Sequence, residues 1–127
     1  MSLCILAAGK TVTLSVAAFT LSWTHSVERT RWEEDWKVTP TGLQLVEARI
    51  EGSGAGMEPP EGALLKERWW SYAPEIDPQR RVVLAASGAT GDGWTLCTVQ
   101  GCRELGMAAG GPIVLEPCGP DGTSQPR

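Results

Sequence analysis

The stretch Ala18-Phe-Thr-Leu-Ser-Trp-Thr-His-Ser-Val-Glu-Arg-Thr-Arg-Trp-Glu-Glu-Asp-Trp-Lys-Val38 decides the fold. Phe19, Leu21, Trp23, His25 and Val27 fall on alternate positions of its first half, and Trp32, Glu34, Trp36 and Val38 on alternate positions of its second. A period of two belongs to strands that show one face to a core. The stretch therefore predicts strands over 18–27 and 32–38, paired as a hairpin. Leaving Glu28-Arg-Thr-Arg31 as the loop sets Val27 opposite Trp32, His25 opposite Glu34, Trp23 opposite Trp36 and Leu21 opposite Val38. A slip of one residue would turn the apolar set against Glu33, Asp35 and Lys37, so the pairing is strongly specified.

This pairing brings the single histidine of the chain against an acid among tryptophans. Directly opposed side chains lie within hydrogen-bonding reach, and a buried charge without a partner costs several kcal/mol. His25 and Glu34 are expected to satisfy each other. With Trp23, Trp32 and Trp36 they form a candidate ligand-binding set; a core couple that fixes the register is the plainer role. Glu28, Arg29 and Arg31 gather at the hairpin tip, either as a solvated surface or as a docking patch in which the arginines take a partner's carboxylate. A His–carboxylate couple needs a third member for nucleophilic catalysis, and no Gly-x-Ser-x-Gly is present. One histidine and no Cys-x-x-Cys speak against a metal centre. No catalytic residue, metal ligand or cofactor is expected, and the chain reads as a non-enzyme.

The same period continues on both sides. Residues 3–7 and 11–16 form an opening hairpin across Ala8-Gly-Lys10, with Val12, Leu14 and Val16 on one face. Pro40-Thr-Gly42 is a turn, and 43–51 is the next strand. Its apolar residues change phase, from Leu43 and Leu45 to Val46, Ala48 and Ile50. A bulge near Leu45-Val46 or a stretch covered on both faces accounts for this. The run from Gly52 to Gly62 then breaks regular structure. Gly52, Gly54 and Gly56 match neither the phosphate loop nor the dinucleotide fingerprint, and read as a flexible loop or a ligand clamp with Met57 as an apolar latch. Short strands follow over 63–66, 68–72, 81–87, 93–99, 102–105 and 112–116, and Trp69 and Trp70 must point to opposite faces. No segment has a clean helical period. The fold expected is all-β: a single-domain antiparallel β-sandwich or partly open barrel of about nine short strands. It spans 1–118, and the turn formers of 119–127 make a loose tail.

At 127 residues and 42% hydrophobic content the chain is one domain's worth, with a sizeable core. A net charge of −4 argues against a nucleic-acid partner, and no apolar run is long enough to cross a membrane. The first residues carry no basic leader, so the sequence as written reads as cytoplasmic; a start further upstream would make it periplasmic or membrane-associated. Four cysteines leave two options open. They are reduced and act as small apolar residues, or Cys97 and Cys102, opposed across the hairpin loop 98–101, form a bridge in an oxidising compartment.

Thr24-His-Ser-Val-Glu-Arg-Thr30, Trp32-Glu-Glu-Asp-Trp36 and Glu47-Ala-Arg-Ile-Glu-Gly-Ser-Gly-Ala-Gly-Met57 together resemble the bacterial domain of unknown function 1850 family. Trp94-Thr-Leu-Cys97 and Gly101-Cys-Arg-Glu-Leu105 are similar to its C-terminal part. The likeness covers nearly the whole chain. Members of that family have no established activity and are commonly encoded beside fused permeases of TRAP transporters and their TAXI-type solute-binding proteins. The resemblance implies an accessory or regulatory role in solute uptake, with the permease or the solute-binding protein as partner. Alternative functions are a small-ligand or cation sensor built on His25 and Glu34, and an uncharacterised enzyme.

Overall fold

Ala8 and Gly9 both take left-handed backbone, with φ of 52° and 75°. Two consecutive residues of this kind make the tight turn whose twist suits a hairpin, and Ala7 pairs directly with Lys10 across it. In the computed structural model, which describes residues 1–24, 30–51, 64–66, 69–86, 93–106 and 110–119, this turn joins β1 (Leu3–Ala7) to β2 (Lys10–Leu14). The described residues contain nine further strands: β3 (Ala18–Thr24), β4 (Arg31–Val38), β5 (Leu43–Glu51), β6 (Leu64–Lys66), β7 (Trp69–Tyr72), β8 (Val82–Leu84), β9 (Trp94–Thr98), β10 (Gly101–Leu105) and β11 (Ile113–Pro117).

These strands form two antiparallel sheets that do not close into a barrel. One has the order β2-β1-β11-β8 and the other β10-β9-β3-β4-β5-β7-β6. Leu3, Ile5 and Leu115 of the smaller sheet pack in one cluster with Leu21, Leu43 and Leu96 of the larger. The architecture is therefore the sandwich of the two expected options, with more strands than the nine predicted. Val12 is more exposed than its phase implies. It lies on β2, an edge strand of the smaller sheet, where one neighbour is missing.

The hairpin register differs from the expectation. Phe19 faces Trp36, Leu21 faces Glu34 and Trp23 faces Trp32. Every partner has moved by four residues. A slip by an even number keeps each side chain on its face, so hydrophobic alternation cannot distinguish the two registers. Aromatic pairing does: Phe19 stacks on Trp36 with centroids 6.3 Å apart, and Trp23 on Trp32 at 6.1 Å. Glu34 thus opposes Leu21 rather than position 25. Arg31, expected in the loop, is a strand residue opposite Thr24. His25, Glu28 and Arg29 lie outside the described residues, as do Gly52, Gly54, Gly56, Met57 and the tail from 120 onward.

The phase change in β5 is a bulge. Asp35 pairs with Glu47 and Trp36 with Leu45, which leaves Val46 as the extra residue. The bulge restores Ala48 and Ile50 to the buried face, where both are almost fully covered. It also sends Glu47, Arg49 and Glu51 to the opposite face.

Cys97 and Cys102 are directly opposed in the β9–β10 hairpin and joined as a disulfide. Its turn is the two residues Val99 and Gln100, because Thr98 and Gly101 already pair. A second bond joins Cys4 on β1 to Cys118, just beyond β11, across a sequence separation of 114. No described cysteine is free. In a chain-entropy picture, closing a loop of that length stabilises the fold by roughly 5 kcal/mol.

Candidate functional site

Strand β4 carries the polar chemistry of the larger sheet on both sides. Trp32, Glu34, Trp36 and Val38 face inward, and Arg31, Glu33, Asp35 and Lys37 face outward. The inward face holds the tryptophans expected from the sequence. Trp36 is buried, and its indole Nε1 donates to Glu34 Oε1 at 3.2 Å. Trp23 lies between Trp32 and Trp94, the latter with its ring centroid 4.9 Å away. Glu34 lies in a cross-strand row with Leu21 on one side and Ala48 and Tyr72 on the other.

Burial pushes the Glu34 carboxyl above its ordinary value, and the indole hydrogen bond opposes this only in part. Burial also raises the Tyr72 phenol, with the charge of Glu34 adding to the effect. The Trp32 indole Nε1 is buried and has no hydrogen-bond partner among the described residues. The structure therefore brings Trp23, Trp32, Trp36 and Glu34 to one face. The expected fifth member, His25, lies outside the described residues.

Of the outward face, only Arg31 is a candidate from the sequence, in the docking patch at the hairpin tip. The centre of this face is Arg49, half-buried on β5. Arg49 Nη1 donates to Asp35 Oδ2 at 2.6 Å and to Glu47 Oε1 at 3.0 Å, Nη2 donates to Asp35 Oδ1 at 3.0 Å, and Nε donates to Glu33 Oε1 at 3.1 Å. The two-pronged grip on Asp35 is the geometry at which a guanidinium binds a carboxylate best. Thr20 adds a hydrogen bond to Asp35 Oδ1 at 2.7 Å. Arg31 completes the cluster through Ser22 Oγ at 3.3 Å and Glu33 Oε2 at 3.6 Å.

Hydrogen bonds from Arg49 hold the Asp35 carboxyl below its ordinary value, more strongly than its partial burial raises it. The same bonds keep Arg49 charged at any accessible pH. The signal for this network was present in the sequence. Once Val46 is the bulge residue, Arg49 shares its face with Glu33 and Asp35; without the bulge it would point into the core.

Beside the network, an open cleft of about 640 Å³ runs over the outer face, lined by residues that include Ala18, Thr20, Asp35, Lys37, Val46 and Cys97. Val99 at its rim is 98% exposed. A second, smaller hollow of about 230 Å³ is polar, with Ser22, Arg31, Thr95 and Glu104 on its walls. No group of three or more metal-ligating side chains occurs among the described residues, and no described helix is long and apolar enough to cross a membrane.

These features define an all-β, two-sheet domain whose larger sheet has an aromatic inner face with one acid and an ion-paired outer face with a cleft. The chain belongs to the family described as Domain of unknown function (DUF1850), whose pattern matches residues 19–105. The matched segment runs from β3 to β10 and contains both faces just described. No curated protein and no solved structure matches the chain.

Proposed function

We propose that this chain is a non-catalytic accessory or regulatory β module of a TRAP-TAXI solute-uptake system, acting on the oxidising side of the membrane. The observation that carries this reading is the Cys4–Cys118 disulfide. It ties the first strand to the end of the last, with Cys4 fully buried. Disulfides form and persist in oxidising compartments such as the bacterial periplasm, where a transporter's solute-binding protein works. Family membership supports the link to uptake through the gene neighbourhood that the resemblance implies. The outer-face chemistry supports a non-catalytic role: the guanidinium of Arg49 is engaged by Glu33, Asp35 and Glu47 and is not offered to a substrate.

The test is fractionation of the native host followed by alkylation of free thiols and capture of the tagged chain after cross-linking. The expected result is an oxidised protein outside the cytoplasm that co-purifies with the permease or the solute-binding protein. A cytoplasmic protein with four alkylated cysteines, or capture of neither partner, overturns the proposal.

A second reading, a small-ligand or cation sensor, is favoured by the Trp32 indole, a buried donor with no acceptor among the described residues, two positions from the half-buried Glu34. A ligand that presents an acceptor to Trp32 and positive charge to Glu34 would satisfy both groups. Intrinsic tryptophan fluorescence reports such binding directly. A response to added cations that Glu34→Gln abolishes supports the sensor, and an unchanged spectrum removes it.

A further inference from the structure

The two disulfides differ at one sulfur each: Cys118 and Cys97 are both half-buried, whereas Cys4 is fully buried and Cys102 is exposed. Cys4 has no exposed surface and lies opposite Glu116, itself almost fully buried, on the neighbouring strand. A thiolate approaching Cys4 would have to penetrate packed chain beside Glu116, which pairs with Arg81 at 3.9 Å, so that bond can be approached only at the half-buried Cys118. Cys102 is exposed, and β10, which carries it, is an edge strand of the larger sheet. Cys97, its partner, lines the outer cleft, so an approaching group has room on that side as well.

The fold depends on the two bonds to different degrees. The β9–β10 hairpin is held by a continuous ladder from Leu105–Trp94 to Gly101–Thr98. Its inner side is anchored by Leu96, which is fully buried. The Trp94 indole fastens the start of β9 through a hydrogen bond to Ala85 O at 2.9 Å. Cys97 and Cys102 are five residues apart in sequence and already face each other across this ladder, so their bond constrains the unfolded chain little. The Cys4–Cys118 bond closes nearly the whole chain.

We propose that Cys97–Cys102 is a thiol-exchange site, opened by a dithiol while Cys4–Cys118 stays closed. One thiolate of the dithiol attacks the exposed Cys102 sulfur. The Cys97–Cys102 bond breaks, Cys97 leaves as a thiolate and takes up a proton, and a mixed disulfide forms on Cys102. The second thiolate of the reductant attacks its own sulfur in that mixed bond and releases Cys102, which is protonated in turn. The protein gains two electrons and two protons, and the dithiol becomes a disulfide. Reduction is read out on the outer face, because Cys97 lies directly opposite Thr20, which holds Asp35.

The test equilibrates the native protein with increasing reduced dithiothreitol against its oxidised form, alkylates the free thiols, and maps them by peptide mass spectrometry. Cys97 and Cys102 are expected to be half reduced at a dithiol ratio at least about tenfold lower than Cys4 and Cys118, with the far-UV circular dichroism unchanged. Simultaneous reduction of both bonds, earlier reduction of Cys4–Cys118, or loss of the sheet spectrum together with the Cys97–Cys102 bond overturns the proposal. The double variant Cys97→Ser/Cys102→Ser is expected to keep the sheet spectrum, and its failure to fold would show that bond to be structural. In the single variants, Cys102 of Cys97→Ser should form a mixed disulfide with glutathione disulfide faster than Cys97 of Cys102→Ser. The reverse order overturns Cys102 as the attacked sulfur.

Discussion

Glu34 and Asp35 are adjacent on one strand, and their carboxyl groups shift in opposite directions. Glu34 faces the packed side of the larger sheet, where loss of water raises it above its ordinary 4.5. Asp35 faces outward into the fork of Arg49, which lowers it below its ordinary 3.8. Strand alternation alone separates the two environments. The difference teaches that the charge pattern of this chain's Trp/Glu strand is two patterns interleaved, one concerned with burial and one with ion pairing. Read as a single acidic run, it misassigns both.

The pH consequences oppose each other. Glu34 is easier to ionise in the unfolded chain than in the folded one. As pH rises through 4.5 toward its raised folded value, the unfolded state gains and the protein loses stability. Asp35 behaves in reverse: its contribution is present above 3.8 and disappears as pH falls through its lowered folded value.

The largest effect is expected from removing the apolar neighbour of Glu34. Leu21→Ala should cost about 3 kcal/mol in denaturant unfolding and bring the Glu34 titration, followed by NMR, back toward its ordinary value as water enters. An unchanged Glu34 titration would mean that burial is not what raises it. On the outer side, Arg49→Met should cost about 1–2 kcal/mol at neutral pH, since the network is half-exposed and solvent weakens it. That cost should shrink in acid, as Asp35 takes up its proton. Asp35 should titrate at or above its ordinary value in the variant, and a persistently lowered Asp35 would exclude Arg49 as the cause.

Smaller still, Glu34→Gln keeps an acceptor for the Trp36 indole and removes the charge. It should raise stability by less than about 1 kcal/mol at pH 8 and leave it unchanged in strong acid, which abolishes the decline above pH 4.5. Equal stability profiles for the two proteins would break the comparison at its inner half. The smallest effect belongs to Val99→Ser at the cleft rim. Stability should stay within about 0.5 kcal/mol, and both carboxyl titrations should be unmoved.

Much of the fold was legible, because side chains on a strand alternate strictly and this chain alternates almost throughout. The opening hairpin, the faces of β3 and β4, the phase change at Leu45-Val46 and the opposition of Cys97 and Cys102 are all local facts of spacing. The candidate site was half legible. Trp23, Trp32, Trp36 and Glu34 share a face, whereas the register differs from the expected one by an even slip that sets Leu21 opposite Glu34. Arg49 was missed because its importance depends on the bulge, and the phase change had two explanations that only pairing with β4 separates. Cys4–Cys118 joins residues whose nearness follows from β1 pairing β11, a contact between the two ends of the chain.

The amino-acid sequence by itself determined that this is an all-β chain, which residues of each strand face inward, and which family it belongs to, since these depend on periodicity and on short strings. Only the tertiary structure decided the register of β3 on β4, the cage of carboxylates around Arg49 and the second disulfide. Those depend on which of several equally alternating partners packs best, and that is settled by aromatic stacking and by contacts between strands far apart along the chain.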